Sequence, residues 1–208
     1  GLSPRAAERM AAHVLGPRAT PVILARLIAR AEGSPLFLEE LLRVVAEGHG
    51  DALPESLVAM VQARVESMEP EARRVLRAAS VFGQVFWRGG LATLLGEARG
   101  EGPTVTDEWL DELARREVID RAQRSRFPGE TEWSFRHDLL REAAYGMLTD
   151  HDRRLGHGIA GEWLAAVGEN EPSVLASHFE RGERFALAAR HHLDAARHAL
   201  GGQDLDAA

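Results

Sequence analysis

The chain has 208 residues, of which 45% are hydrophobic and 27% charged, and its formal net charge is −7. These values predict a globular protein with one large domain or two small ones, and no run approaches the roughly 20 apolar residues of a membrane span. Cysteine is absent. Lysine is absent too, since all 25 basic residues are arginine. These absences exclude disulfides, thiolate metal ligands, Schiff-base enzymes and a complete P-loop. We expect a cytoplasmic protein that does not contact membranes. Its net negative charge provides no overall positive potential that would attract nucleic acid.

Both ends of the sequence favour a part of a longer protein. The chain begins at Gly1 without an apolar leader, and it ends in the polar stretch Gly201–Asp206. We therefore expect further domains to accompany the residues described here.

The first 68 residues show helical periodicity and form the first predicted domain. Three helices are expected to begin with a capping side chain followed by proline: Ser3-Pro4, Thr20-Pro21 and Ser34-Pro35. Gly16 and Gly33 are placed to end the first two of these helices. A loop is predicted at Gly48–Asp51, and Pro54 is expected to open a fourth helix. The pattern predicts a helical bundle over residues 1–68.

Within the second predicted domain, residues 69–148, the spacing of apolar residues changes from that of helices to that of strands. Helices are expected from Pro70, from Trp87 to Leu95 and from Thr106 to Glu117. Two strand candidates follow on either side of a Pro-Gly turn: Val118–Asp120 and Thr131–Arg136. Three helices followed by one β-hairpin is the order of a winged helix-turn-helix.

Helices resume at His137 and continue through the last predicted domain, residues 149–208. One of them carries an apolar stripe formed by Leu155, Ile159, Trp163 and Val167. The alanine-rich pair Glu171–Arg181 and Glu183–Leu200 is similar to a tetratricopeptide hairpin. The expected fold is mainly α: a helical bundle, a winged helix with one β-hairpin, and the start of a tetratricopeptide-like array.

Two segments resemble a known family. Glu32–Leu41, which contains Gly33-Ser34-Pro35, resembles the GxP segment in the helical lid of STAND-class signalling ATPases, relatives of the AAA+ fold. Phe135–Tyr145, which contains His137-Asp138 and two leucines, resembles the MHD motif that closes the winged-helix domain of that class. Arg136 stands where methionine is usual in plant resistance proteins. Over about residues 1–180 the chain is similar to the ATPase regions attached to bacterial nucleotide cyclases, Ser/Thr kinases and LuxR-type regulators.

The resemblance implies that a nucleotide-binding domain precedes this chain, with the Walker A and Walker B motifs that the chain itself lacks. The chain would then be the regulatory, non-catalytic portion: a lid, a winged helix and the start of a helical sensor array. ADP or ATP would be bound together with the upstream domain, and this portion would hold no metal ion. The implied partners are that upstream domain, a kinase, cyclase or LuxR-type effector domain, and a protein bound by the helical array.

Five residues are the nucleotide contacts that the resemblance implies: Gly33, Ser34, Pro35, His137 and Asp138. The GxP segment would line the adenine and ribose side of the site. His137 would donate a hydrogen bond to the terminal phosphate of ADP, while Asp138 would hold the ring and the first helical turn. A purely structural role accounts for the same residues, because Gly-Ser-Pro often joins two helices and aspartate favours a helix N-terminus.

A winged helix also suggests DNA binding, but the charges oppose it. The predicted recognition helix, residues 106–117, contains more acidic than basic side chains and would repel phosphates. The predicted wing offers three arginines: Arg121, Arg124 and Arg126. We expect the module to pack against protein rather than bind DNA directly.

Two further interpretations stay open. In the first, the chain is a protein-interaction scaffold that keeps both motifs for packing alone. In the second, it is a metal-dependent HD-type phosphohydrolase built from His137-Asp138, Asp150–Asp152 and His157. The six-residue spacing of His151 and His157 places them off a shared helix face, so we expect surface histidines there. The four tryptophans are expected in the core.

Overall fold

The computed structural model describes residues 2–31, 33–46, 57–97 and 104–201. In these ranges the protein is mainly α-helical, with one small antiparallel sheet of three strands. None of the described helices is long and apolar enough to cross a bilayer. The predicted loop at Gly48–Asp51 and the helix start at Pro54 lie outside the described residues. The chain divides into two compact units, Gly1–Arg64 and Val65–Ala208.

The first unit is a bundle of aliphatic helices. Its helices are α1 (Pro4–Leu15), α2 (Pro21–Ala31), α3 (Pro35–Ala46) and α4 (Leu57–Glu66). The last two residues of α4 belong to the second unit. The predicted starts of α1 to α3 are confirmed, and the Ser3 and Ser34 hydroxyls accept from backbone N–H groups in the first helical turns. The buried core consists mainly of leucine and alanine, including Ala11, Leu27, Leu38, Leu41 and Leu42.

The second unit opens with alternating helices and strands. These are α5 (Pro70–Ser80), β1 (Val85–Trp87), α6 (Arg88–Leu95), α7 (Val105–Arg115), β2 (Ile119–Arg121) and β3 (Glu132–Phe135). The sheet order is β1-β3-β2, so β3 pairs with both neighbours. Phe86 lies opposite Trp133, and Ile119 lies opposite Phe135. The predicted hairpin is therefore extended by a third strand.

The prediction that a helix begins at Trp87 was wrong. Trp87 is the last residue of β1 and lies opposite Glu132 in the sheet, and its indole N–H donates to the Glu132 carboxylate at 3.1 Å. β1 consists of three consecutive apolar residues, Val85–Trp87, which show no alternation of apolar and polar side chains. Its pairing partner is 45 residues away along the chain, so only tertiary structure creates the strand.

The start of α7 also differs from the prediction. The helix is capped by Thr104, whose side chain accepts from the Asp107 N–H, and the Asp107 carboxylate accepts in turn from the Thr104 N–H, which completes a capping box. Thr106 is instead buried and donates its hydroxyl hydrogen bond to Glu97. The helix thus begins one residue before the predicted start, at Val105, and its capping box has aspartate in place of the usual glutamate or glutamine.

Four further helices complete the second unit: α8 (Asp138–Gly146), α9 (Asp150–Val167), α10 (Pro172–Arg181) and α11 (Phe185–Gly201). The predicted stripe of α9 is only partly correct, because Trp163 is buried whereas Leu155 is 53% exposed. Glycines at 156, 158 and 161 form much of the buried face instead. These glycines let neighbouring elements approach closely; a Cβ on Gly161 would lie 3.0 Å from the Phe179 ring.

An aromatic cluster forms much of the core of the second unit. Trp87, Phe127, Trp163 and Phe179 are buried in it, and Trp87 stacks on Trp163 with ring centroids 5.9 Å apart. Trp133 is also buried, as expected. Trp109 is only half-buried, so the prediction of four core tryptophans holds for three of them.

Candidate functional site

The GxP segment joins α2 to α3. Gly33 has a φ of +78°, a left-handed conformation that favours glycine, and its carbonyl accepts from the Leu2 N–H at 2.8 Å. The Ser34 N–H donates to the Ala31 carbonyl at 2.7 Å, and the Ser34 hydroxyl accepts from the Phe37 N–H at 3.3 Å. Pro35, at the first position of α3, is exposed. The segment is thus a helix end followed at once by a capped helix start.

A small cavity lies beside this segment within the first unit. It measures about 100 Å³ and is lined mainly by apolar side chains, together with Gly33 and Ser34. This volume is well below the roughly 300–1,000 Å³ of typical small-molecule sites. The first unit by itself therefore offers an apolar notch, not a complete nucleotide pocket.

His137 and Asp138 lie at the passage from β3 to α8. His137 has extended backbone (φ −141°, ψ 139°) and immediately precedes the helix. Its side chain is half-buried, whereas Asp138, the first residue of α8, is exposed. The carboxylate of Asp138 stands at the end of the helix where a negative charge is favourable. The motif thus places an imidazole and a carboxylate side by side at a helix N-terminus.

The five predicted site residues fall in separate units. Gly33, Ser34 and Pro35 belong to Gly1–Arg64, and His137 and Asp138 belong to Val65–Ala208. Each motif is compact in itself. Their convergence on one nucleotide stays a prediction.

Several charged side chains in or next to α7 form ion pairs. Asp107 accepts two hydrogen bonds from Arg88, at 3.0 and 2.8 Å; these, more than the bonds from Thr104, lower the pKa of Asp107 to about 2. Arg116 holds Glu69 at 2.7 and 2.9 Å, which lowers the pKa of Glu69 to about 2. Glu108 and Asp111 remain exposed on α7, so its outer face is acidic.

Two of the three arginines predicted for the wing pack against the protein. Arg121 lies over the Trp133 ring at 5.7 Å and Arg126 over the Phe127 ring at 5.5 Å. Arg126 also pairs with the buried carboxylate of Glu169. Arg121, Arg124 and Arg126 are all exposed. Two of the three thus make contacts within the protein while remaining accessible to solvent.

A buried polar chain was not predicted from the sequence. The Tyr145 hydroxyl lies 2.8 Å from Nε2 of His157, and Nδ1 of His157 lies 3.1 Å from Nδ1 of His178. His157 and His178 are only 2% and 7% exposed. The expectation of a surface His157 was wrong. A usable signal was its position among the small residues of α9, which leave room for a neighbouring helix.

Burial keeps both histidines neutral. Loss of solvent, and then the charges of His178 and Arg181, lower the pKa of His157 to about 3. Loss of solvent and then Arg181 lower the pKa of His178 to about 4. Because the two Nδ1 atoms face each other, one donates and the other accepts, and Tyr145 then takes the complementary role at Nε2. All the hydrogen bonds of this polar chain can form only when at least one of the two imidazoles is neutral.

The histidines considered for a phosphohydrolase lie in different surroundings. His151 is exposed whereas His157 is buried, so the two do not share a site. Among the described residues there is no group of three histidine, aspartate or glutamate side chains that could hold a metal ion.

Comparisons with known proteins yield no relative: no protein-family model, no curated protein and no solved structure matches the chain. Function is therefore inferred from the residues and the geometry described above.

Proposed function

We propose that this chain is the regulatory, non-catalytic portion of a STAND-type ATP-binding signal-transduction protein. The observation that carries the proposal is the order of elements from α5 to α8. Helix, strand, helix, helix, strand and strand, with sheet order β1-β3-β2, is the order expected of a winged helix and supports the proposal. The His-Asp pair follows β3 after one residue, Arg136, which agrees with the position that the resemblance to the MHD motif implies.

The chemistry of His137 suits contact with a phosphate. An imidazole donates a hydrogen bond when neutral and adds charge attraction when protonated. The N-terminus of α8, a helix of nine residues, adds backbone N–H groups that favour an anion. We infer that His137 donates to the terminal phosphate of ADP, while Asp138 holds the first turn of the helix.

The GxP segment would supply the second contact. Pro35 is exposed at the first position of α3, and the turn at Gly33 holds its position rigidly. The apolar notch beside Gly33 and Ser34 suits one edge of an adenine ring once a nucleotide-binding domain completes the site. In this proposal ADP holds the lid and the winged helix closed on that domain, and exchange for ATP releases them.

The test is the rate of ADP release from the longer protein that contains this chain. A hydrogen bond to an ionised group contributes about 1.5–3 kcal/mol, and a factor of ten corresponds to about 1.4 kcal/mol. We therefore expect His137→Ala to accelerate release of a fluorescent ADP analogue by tenfold or more. His151→Ala, an exposed histidine on α9, is the matched control.

Two results would refute the proposal. An unchanged release rate in His137→Ala would remove His137 from nucleotide binding. A gene with no P-loop domain upstream of residue 1 would remove the nucleotide altogether.

A protein-interaction scaffold is the second candidate, and α11 favours it. Phe185, Leu193 and Leu200 are each more than half exposed on this helix, which is more apolar surface than a solvated helix needs. A scaffold would bind its partner equally well with ADP, with ATP or without nucleotide. Nucleotide-dependent partner binding would favour the first proposal.

A further inference from the structure

A groove opens between α5 and α9 in the second unit, and neither motif uses it. Its volume is about 360 Å³, which lies in the range of small-molecule sites, about 300–1,000 Å³. We call it the α5–α9 groove.

The wall of the α5–α9 groove is apolar. It is formed mainly by Ala78, Val81, Leu94, Leu148, Leu155 and Ile159. Leu155 is 53% exposed. Covering Leu155 with the apolar part of a ligand would remove that surface from water, which is favourable in proportion to its area.

Two arginines of α5 line the same groove. Arg77 reaches across it to Asp152 of α9, with Nη2 and Oδ2 3.3 Å apart. Arg74 donates to Glu71 at 3.2 Å and to the Leu95 carbonyl at 3.1 Å. Both ion pairs are substantially exposed, and exposed pairs of this kind are weak, at roughly 0–1 kcal/mol. A ligand carboxylate can therefore replace the acidic partner of either arginine at little cost.

The negative charge of Asp152 is stabilised by other groups besides Arg77. It lies in the first turn of α9, where a negative charge is favoured. A hydrogen bond from Thr149 contributes more than Arg77 does to the lowered pKa of its carboxyl. Arg77 can thus turn from Asp152 to a ligand without leaving an isolated buried charge.

We propose that the α5–α9 groove binds a small amphiphilic carboxylate, with its apolar body against Leu155 and Ile159 and its carboxylate on Arg77 and Arg74. The carboxylate matches the planar donor geometry of a guanidinium, and the apolar body matches the wall. This proposal is independent of nucleotide binding.

The experiment titrates the 208-residue chain with decanoate below its micellar concentration, using isothermal calorimetry. We expect saturable binding of one decanoate per chain. Decanol, which has the tail without the charge, is expected to bind at least tenfold more weakly, and acetate, which lacks the tail, is expected not to bind.

Three variants locate the site. Arg77→Met should weaken decanoate binding tenfold or more by removing a charged donor, and Ala78→Trp should abolish binding by filling the groove. Leu155→Asp changes an exposed residue, so folding should tolerate it, and it should also weaken binding at least tenfold through repulsion. Arg190→Met, an exposed arginine on α11, should bind decanoate as the parent chain does.

Any of three results would overturn the proposal: no saturable binding of decanoate, equal binding of decanol, or unchanged affinity in Leu155→Asp. Circular dichroism of each variant confirms that it is folded. If Ala78→Trp does not fold, the Leu155→Asp and Arg77→Met measurements decide.

Discussion

One buried ion pair in the first unit and one buried histidine chain in the second hold polar groups away from water in opposite ways. In the first unit the Glu40 carboxylate, 3% exposed, pairs with the guanidinium of Arg64, 14% exposed. In the second unit the Tyr145–His157–His178 chain is neutral and joined by hydrogen bonds. The first arrangement keeps an ion pair largely out of water, whereas the second carries no charge. The second unit also buries a carboxylate, that of Glu169, which pairs with Arg126.

The two kinds of buried group differ in their response to mutation and to acid. A buried ion pair tolerates replacement of both partners but not the loss of one, because the remaining charge is left without compensation. A buried neutral histidine chain is stable until acid forces protons onto it. The first unit should thus be sensitive to mutation at one position, and the second to pH.

The largest expected effect is that of Glu40→Gln. Removing one charge of a buried pair costs about 3–5 kcal/mol of unfolding free energy. Chemical denaturation followed by circular dichroism measures this cost, and Glu8→Gln, an exposed glutamate on α1, should change it little. The double variant Glu40→Met with Arg64→Met should recover most of the loss. A cost below 1 kcal/mol for the single variant would contradict the comparison.

The second effect is the loss of stability in mild acid. Both histidines have folded-state pKa values, about 3 and 4, below the unfolded value of about 6.5. The unfolded chain therefore binds more protons between these limits, and stability is complete above pH 6.5 and falls as the pH decreases toward 4. We expect a loss of about 2 kcal/mol between pH 6 and pH 5, measured by urea denaturation at each pH.

A matched pair of variants assigns this pH dependence. His178→Gln keeps a hydrogen-bonding side chain but does not titrate, so it should reduce the slope of stability against pH by about half. His192→Gln replaces a histidine whose side chain is 56% exposed and should leave the slope unchanged. Equal slopes in the parent chain and in His178→Gln would show that the buried chain does not cause the pH dependence.

The third effect concerns the close approach of α9 and α10, which brings His157 and His178 together. A Cβ on Gly182 would lie 2.7 Å from the backbone nitrogen of Gly158, and backbone atoms cannot move aside cheaply. Gly182→Ala should therefore cost about 1–3 kcal/mol, measured by thermal unfolding. Gly146→Ala, where a Cβ meets no atom within 4 Å, should be neutral or stabilising by up to about 1 kcal/mol. Equal melting temperatures for the two variants would refute the close contact.

The smallest effect is expected at the partly exposed Asp107, which completes the capping box of α7 and pairs with Arg88. Asp107→Asn should cost about 1 kcal/mol, since it weakens a capping box. Because the pKa of Asp107 is about 2, its contribution should disappear only as the pH falls below about 4, later than that of the histidines. Asp111→Asn, an exposed aspartate on the same helix, is the control. A cost equal to that of Glu40→Gln would erase the distinction between buried and exposed charges.

Much of the helical framework was predictable because its signals are local. The Ser-Pro and Thr-Pro pairs at the starts of α1 to α3 act through contacts within four residues of the chain. The sheet was only partly predictable: β2 and β3 show in the pattern, whereas β1 exists through pairing with a distant strand. The candidate residues Gly33 to Pro35 and His137-Asp138 were found by resemblance, and their local geometry as a helix junction and a helix start follows from their residue types.

By itself the sequence determined where most helices begin and end and which chemistries are impossible for want of cysteine and lysine. Only the tertiary structure decided which polar side chains are buried and with whom they pair. Tyr145, His157 and His178 are separated by 12 and 21 residues. The two histidines meet because glycines on α9 let α10 approach. Helix ends depend on neighbouring residues along the chain, whereas burial depends on the packing of helices that no local pattern specifies.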